Sequence, residues 1–328
     1  MTLSFLSDAM KTKSRDYAPV VLFVYNRPVH TQQTLEALQH NCLAKESILY
    51  VFADGAKPNA SAEQLEGIRK TREVVHSISG FKEVHIFESD VNKGLANSII
   101  HGVSSVVDEY GKVIVLEDDI VTSKHFLEYM NSALSVYQDE PQVMHVSGYM
   151  YPLKKNNLPE TFFYPATSCW GWATWKRAWE SFNPDAEYLY DQIKKRDLQG
   201  VLNINTIHGF EQQLIDNIEG KLYTWFIKWN ASVILKGGYS LYPKYSLVQN
   251  VGFDNSGEHC EYSSVFSVPV KNIRIKVKKK PIEFNQDAIR SLKEFDDESL
   301  WDASCFRKSI RRYIKKLLPR SLWILFQR

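Results

Sequence analysis

Val113-Ile114-Val115-Leu116 runs directly into Glu117-Asp118-Asp119, so an apolar strand delivers three consecutive carboxylates to one point. Hard divalent cations such as Mg2+ and Mn2+ prefer carboxylate oxygens and complete their shells with water and substrate phosphates. The stretch is therefore a candidate metal site facing a diphosphate-bearing substrate. Acids that follow a strand also serve simply to start the next helix, and these seven residues alone do not choose between the two.

The elements that position such a cluster can be read from periodicity. Val20 to Tyr25, Ile48 to Phe52, Val84 to Phe87 and Val113 to Leu116 are short, almost continuous apolar runs, as in strands covered on both faces. Between them, Leu65, Ile68, Val75 and Ile78 form one helical stripe, and Leu95, Ile99, Val103, Val107 and Tyr110 another. Strand alternating with helix predicts an α/β fold with a parallel sheet, whose ligands bind beyond the carboxyl ends of the strands. The residues there are Asn26 and Arg27, Asp54 and Gly55, Glu88 to Asn92, and Glu117 to Asp119. A further helix is expected through Phe126, Met130, Leu134 and Tyr137, and a strand over Val143 to Val146.

Bulk properties bound the class. The 328 residues, 44% of them hydrophobic, suit one large domain or two modest ones with an ample core. A net charge of +2, with Lys and Arg spread through most of the chain, gives no case for nucleic acid as a partner. Cys42, Cys169, Cys260 and Cys305 lie far apart without a CxxC pair or zinc-finger spacing, and read as reduced thiols. Met1 to Asp8 lacks a basic region before a long apolar core, so no signal peptide is expected, and no apolar run is long enough to span a bilayer.

Beyond Val146 the texture becomes aromatic. Phe162 to Pro165 leads into Ser168-Cys169-Trp170-Gly171-Trp172-Ala173-Thr174-Trp175, a density that means either core or a sugar-stacking surface. Thr224-Trp225-Phe226-Ile227-Lys228-Trp229 opens a helical run, and a strand is expected through Leu241 and Tyr242. From about Val268 the chain turns basic, first in an alternating, strand-like run from Lys271 to Lys280. In Arg307 to Arg328, Ile310, Tyr313, Ile314, Leu317 and Leu318 share a face flanked by Arg311, Arg312, Lys315 and Lys316, before an apolar Leu322 to Phe326 tail. That pattern fits a helix on an anionic membrane surface or one docked on the domain, and the expected location is cytoplasmic, peripheral on the inner face of the membrane. The domain plan is an N-terminal extension (1–16), a main domain (17–265) and a basic C-terminal region (266–328).

Together these motifs resemble GT-A glycosyltransferases. Val113 to Ile120 followed by Phe126-Leu127-Glu128-Tyr129 is similar to the acidic metal motif and following helix of the N-acetylglucosaminyltransferase I family and of bacterial polysaccharide glycosyltransferases. The similarity continues through Val146-Ser147-Gly148, Phe162-Phe163, Trp170-Gly171-Trp172, Ser246 to Asp254 and Ser256 to Cys260, covering roughly Pro19 to Cys260. It implies a GT-A (Rossmann-like), mixed but mostly parallel sheet flanked by helices, with the basic amphipathic tail appended. It implies an inverting hexosyl- or N-acetylhexosaminyltransferase that uses a nucleotide-sugar donor, UDP-linked before others. The expected acceptor is a glycan in bacterial surface polysaccharide synthesis, with a polyprenyl-diphosphate-linked saccharide as the expected form.

By the same resemblance Asp119 ligates Mn2+ or Mg2+, while Asp118 and Glu117 hold waters or the donor sugar. Asp54 contacts base or ribose, Asn26 and Arg27 face the nucleotide, and Lys93 opens a helix suited to anions. Trp170 and Trp172 are candidates for a sugar platform, and His259 for approach to the nucleotide or metal. Inversion needs a general base. The relatives place Asp just before the Trp matching Trp225, whereas this chain has Thr224; Glu211, Asp216 and Asp254 are the nearest carboxylates, Asp216 favoured. Lys228 stands where the bacterial proteins carry Arg and is a candidate to support the departing phosphate. A nucleotidyltransferase is disfavoured because Tyr25 to His30 contains no glycine for cradling phosphate. A glycan-binding protein that kept the fold without turnover is the other alternative.

Overall fold

The computed structural model describes residues 17–153, 157–204, 209–254 and 265–297. The expected N-terminal extension, His259 and the basic helix from Arg307 lie outside the described residues.

The first half follows the predicted alternation: β1 (Val20–Val24), α1 (Pro28–Gln39), β2 (Ile48–Ala53), α2 (Ala62–His76), β3 (Glu83–Glu88), α3 (Leu95–Tyr110) and β4 (Lys112–Glu117). After them come β5 (Ile120–Thr122), α4 (Phe126–Val136), β6 (Val143–Ser147), β7 (Thr161–Tyr164) and β8 (Trp172–Trp175). The chain then forms α5 (Lys176–Trp179), α6 (Ala186–Lys195), α7 (Gln199–Leu202), α8 (Phe210–Ile218), α9 (Phe226–Leu235), β9 (Tyr239–Pro243) and β10 (Val248–Asn250).

Eight strands build one sheet in the order β3-β2-β1-β4-β8-β6-β9-β7. The β3-β2-β1-β4 half is wholly parallel, and β8 enters antiparallel between β4 and β6. The architecture is α/β, a mixed sheet flanked by helices. β1 and the interior of β4 are wholly buried because helices cover both faces. On one face Leu35 and Leu38 of α1 and Phe126 and Met130 of α4 join Val20, Leu22 and Leu116. On the other, Ile99 and Val103 of α3 join Phe23, Val115, Trp172, Trp225 and Trp229. Helix starts are specified locally as well: α2 opens with a reciprocal Ser61/Gln64 capping box.

The run from Lys271 to Lys280 is not a strand. Its alternation records one-sided burial instead: Ile273, Ile275 and Val277 turn to the core while Lys271, Arg274, Lys276 and Lys278 stay in water. The run ends near Phe284, which bridges Phe163 of the edge strand β7 in parallel, with Asn285 N–H donating to the Phe163 carbonyl at 3.0 Å. A helical segment over 286–297 then buries Ala288 and Leu292 in the same core. Among the described residues no helix is long and apolar enough to cross a membrane.

Candidate active site

The carboxyl ends of β1 and β4 lie side by side because the strands pair in register, with Phe23 opposite Glu117. Arg27, three residues beyond β1, meets Asp118 and Asp119, which directly follow β4, in an ion cluster. Arg27 Nη2 donates to both Asp118 Oδ1 and Asp119 Oδ2, the latter at 2.9 Å, and its Nε reaches Asp118 Oδ2 at 3.3 Å. Asp118 and Asp119 are buried, and the Arg27 side chain is only 17% exposed. Thr34 of α1 donates its hydroxyl to the Asp118 carbonyl at 2.8 Å, which fixes the turn into β5. Charge is unbalanced here. Burial and the neighbouring Asp119 and Asp118 push Glu117 up to about 8. Burial also carries Asp118 up to about 6, against the pull of Arg27.

The closing segment covers this cluster through a second, two-stranded sheet in which β10 pairs antiparallel with β5, Asn250 opposite Ile120. Val251 N–H donates to the Asp119 carbonyl at 2.9 Å, and the Asn250 side chain accepts from Gly252 N–H at 2.7 Å. Gly252 presses on the acids so closely that an added Cβ would lie 2.2 Å from Asp119 Oδ2 and 3.0 Å from Arg27 Nη1. Asp254 follows, with Oδ2 at 3.1 Å from His30 Nε2, one turn along α1 from Arg27. His30, Thr34, Asn250 and Gly252 are members of the site that residue types alone did not reveal.

At the neighbouring strand end, Asp54 is buried, and its carboxylate accepts from the N–H groups of Gly55, Lys93 and Gly94 at 2.8 to 2.9 Å. Asp54 thus clamps the β2 turn to the N-terminus of α3, where Gly94 sits at φ 77°, a conformation that favours glycine. Lys93 contributes its backbone to that clamp while the residue itself is exposed. The Asn26 carbonyl abuts α2 at Gly67, where a Cβ would approach it to 2.6 Å.

Across the mouth of the sheet, Lys228 of α9 is 3% exposed, and its ammonium lies over the Tyr223 ring at 4.2 Å from the centroid. The Tyr223 hydroxyl donates to Asn97 Oδ1 at 3.0 Å, tying this lysine to the start of α3. No salt bridge to Lys228 occurs among the described residues, and burial lowers its pKa. Such a cation favours an anionic ligand.

The remaining candidates separate by burial. Trp172 is fully buried, stacked on Trp225 at 5.0 Å and 19° and on His145 at 5.5 Å. It is a core residue, and the sugar-platform expectation is corrected there because neither ring face meets solvent. Trp170 is half-buried, edge-on to Tyr149 at 4.5 Å and to Phe253 at 5.4 Å. Glu211 caps local structure, accepting from the Asn203 side-chain amide at 2.8 Å and from the Tyr190 hydroxyl at 3.3 Å. Asp216, in the last turn of α8, accepts from Gln212 at 3.0 Å, and among the described contacts neither Glu211 nor Asp216 reaches the acidic cluster. Thr224 is tied to Asn217 through both backbone and side chain, at 2.9 and 3.0 Å.

No protein-family model and no curated protein matches the chain. Among solved structures it resembles the mannosyltransferase PcManGT from Pyrobaculum calidifontis in complex with GDP-Man and Mn2+, at 14% identity over 49% of this chain and 46% of that one, TM-score 0.33. It also resembles the galactosyltransferase LgtC in complex with donor and acceptor sugar analogues, at 7% identity over 68% of this chain and 72% of that one, TM-score 0.35. A UDP-glucose pyrophosphorylase complexed with UDP-glucose aligns at 9% identity over 71% of this chain and 93% of that one, TM-score 0.36. The chain spans less than half of the mannosyltransferase. At these scores the likenesses carry no chemistry over to this chain, whose functional reading rests on its own motifs and site.

Proposed function

We propose that this protein is a metal-dependent glycosyltransferase that moves a sugar from a nucleotide-diphosphate donor, UDP-linked before others, to a glycan acceptor with inversion at the anomeric carbon. The observation that carries the reading is the Arg27, Asp118 and Asp119 cluster at the carboxyl ends of two adjacent parallel strands, where α/β sheets bind ligands. Buried carboxylate oxygens beside a Cβ-less backbone suit Mn2+ or Mg2+, with Asp119 as ligand and Asp118 and Glu117 holding waters or the donor sugar. The ion, when bound, neutralises charge on the departing diphosphate. Arg27 holds the two aspartates in place and supplies a fixed positive charge beside them. Lys228 and the α3 N-terminus offer further positive potential on the opposite face of the sheet. Asp54 keeps that helix start in position.

In an inverting displacement the acceptor oxygen bonds to the anomeric carbon, the bond to diphosphate breaks, and the acceptor proton passes to a carboxylate. The His30 contact supports Asp254 for that role over Asp216 and Glu211, which are engaged in local helix contacts. Bacterial surface polysaccharide as the product, a polyprenyl-diphosphate-linked acceptor, and membrane attachment through Arg307 to Arg328 remain part of the proposal. So does the division at residues 16 and 265.

One observation favours a second reading, glycan binding without turnover: Thr224 occupies the position of the expected carboxylate, and Asn217 engages its side chain. Calorimetric titration of UDP-, GDP-, dTDP- and CMP-sugars with and without Mn2+, followed by product analysis, decides between them. The glycosyltransferase reading expects Mn2+-dependent binding of one nucleotide class, lost in Asp119→Asn, and release of the nucleoside diphosphate. Binding without turnover favours the second reading, whereas formation of inorganic diphosphate and a nucleoside triphosphate would identify a nucleotidyltransferase.

A further inference from the structure

At the other end of β5 from the acidic cluster, a different set of ligand atoms converges. One oxygen of Glu128, Nδ1 of His125 and Sγ of Cys42 all lie within 4.8 Å of one another. We propose that Cys42, His125 and Glu128 bind one transition-metal ion of the zinc type, separate from the ion expected at Asp119.

The contacts distinguish an ion site from a nucleophilic triad. A Cys-His-acid relay needs the imidazole to bridge its partners through its two different nitrogens. Here Cys42 Sγ approaches Nδ1 at 3.5 Å, and Glu128 Oε2 contacts the same Nδ1. Three donors pointed at one locus is the arrangement an ion requires. Bonds of about 2.0 to 2.3 Å in a tetrahedral shell set ligand atoms roughly 3.3 to 3.8 Å apart, and the sulfur-nitrogen spacing already falls in that range. The carboxylate needs to draw back from the ring by less than the length of a bond. A thiolate, imidazole and carboxylate set selects Zn2+ or Co2+ over Mg2+, which prefers oxygen alone. Binding releases the thiol proton and any proton shared by His125 and Glu128 to solvent, leaving two anionic ligands to balance a dication. Cys42 is exposed, so water can reach the fourth position.

The supporting frame is fixed independently of the ion. Cys42 N–H donates to the Lys124 carbonyl at 3.0 Å. Asn41, 6% exposed, donates to Thr122 Oγ1 at 2.9 Å and accepts from Leu127 N–H at 3.0 Å, locking the end of α1 to both sides of His125. Arg274 Nη2 donates to Glu128 Oε1 at 2.9 Å, which leaves Oε2 for the ring side, as second-sphere partners of ligands do. The Asn272 side chain accepts from Lys124 N–H at 3.1 Å. An ion here would staple α1, the start of α4 and the basic 272–274 segment together.

The test uses the full chain, reduced and chelator-stripped, titrated with Co2+ as the optical probe. The expected result is a thiolate-to-cobalt charge-transfer band saturating at one equivalent and displaced by Zn2+, unchanged in Asp119→Asn and lost in Cys42→Ser. Zn2+ should also raise the melting temperature of the wild type and of Asp119→Asn but not of Cys42→Ser. Absence of the band in the wild type, or its survival in Cys42→Ser, overturns the proposal whatever happens at the donor site.

Discussion

Replacing Arg27 by Met keeps the aliphatic stem and removes the guanidinium that faces Asp118 and Asp119, so it probes the cluster's charge with little loss of packing. The three side chains are 17%, 7% and 9% exposed, which places the contact among buried pairs rather than surface ones. Breaking such a pair from one side costs about 3 to 5 kcal/mol, because the charges left behind are desolvated and face each other. The lower end, ~3 kcal/mol, is expected here, since the guanidinium retains some water contact. Arg27 and a divalent cation neutralise the same oxygens, so removing one should strengthen the other. Urea unfolding of wild type and Arg27→Met, each with and without saturating Mn2+, measures both effects. Mn2+ should recover at least ~1.4 kcal/mol more in the variant, corresponding to about a tenfold gain in metal affinity. A loss below ~1 kcal/mol without metal, or an equal Mn2+ increment in both proteins, would refute the view that Arg27 stands where cationic charge is required.

Gly252→Ala puts a methyl group 2.2 Å from Asp119 Oδ2, so metal-dependent nucleotide binding should weaken at least tenfold while circular dichroism stays unchanged; unaltered calorimetric affinity counts against the site. Lys228→Met should lower donor affinity by about ten- to a hundredfold, yet change unfolding free energy by less than ~1 kcal/mol, because a buried amine that makes no salt bridge among the described residues adds little to the fold. His145 is held neutral by burial, its pKa pushed down to about 3. Since the unfolded chain then binds the proton and the folded one does not, stability is full above the ordinary histidine pKa and falls with pH below it. This residue should account for a loss of about 2 kcal/mol between pH ~7 and ~5, absent in His145→Gln, as read from urea melts at each pH.

The parallel half of the fold was legible because its signals are local. Val20 to Val24 and Val113 to Leu116 are buried on both faces and carry no polar alternation, and α3 shows its stripe within one segment. β8 was hidden inside an aromatic run because its role depends on β4 and β6, which pair with its two edges within the sheet. β5 and β10 are three residues each, too short for any period to register, and they exist because each supplies the other's ladder. The Lys271 to Lys280 run shows the converse: alternation reports which side of a segment is wet, and only a pairing partner turns that into a strand.

The site divides in the same way. Glu117 to Asp119 announced themselves because three like charges after an apolar strand are costly without a cation, a cost visible in the sequence itself. Their pairing was not visible: Arg27, expected at the site to face the nucleotide, lies 91 residues from Asp118, and Gly252 carries no side chain to suggest that its backbone touches Asp119. Sheet pairing brings them together, since β1 beside β4 places Arg27 at the acids, and β10 beside β5 folds Gly252 over them. Trp172 shows where residue type misleads: a tryptophan that reads as a sugar platform is sealed between Trp225 and His145. Lys228, a candidate phosphate support, is 3% exposed, its ammonium over an aromatic ring and tied through Tyr223 to the start of α3. Arg27 stands at the start of α1, and Lys228 is tied through Tyr223 to the start of α3, and these two helices pack on opposite faces of the sheet. A dianionic diphosphate lying along that edge beside the acid-held ion would meet positive charge on both sides, which an isolated acidic motif would not provide.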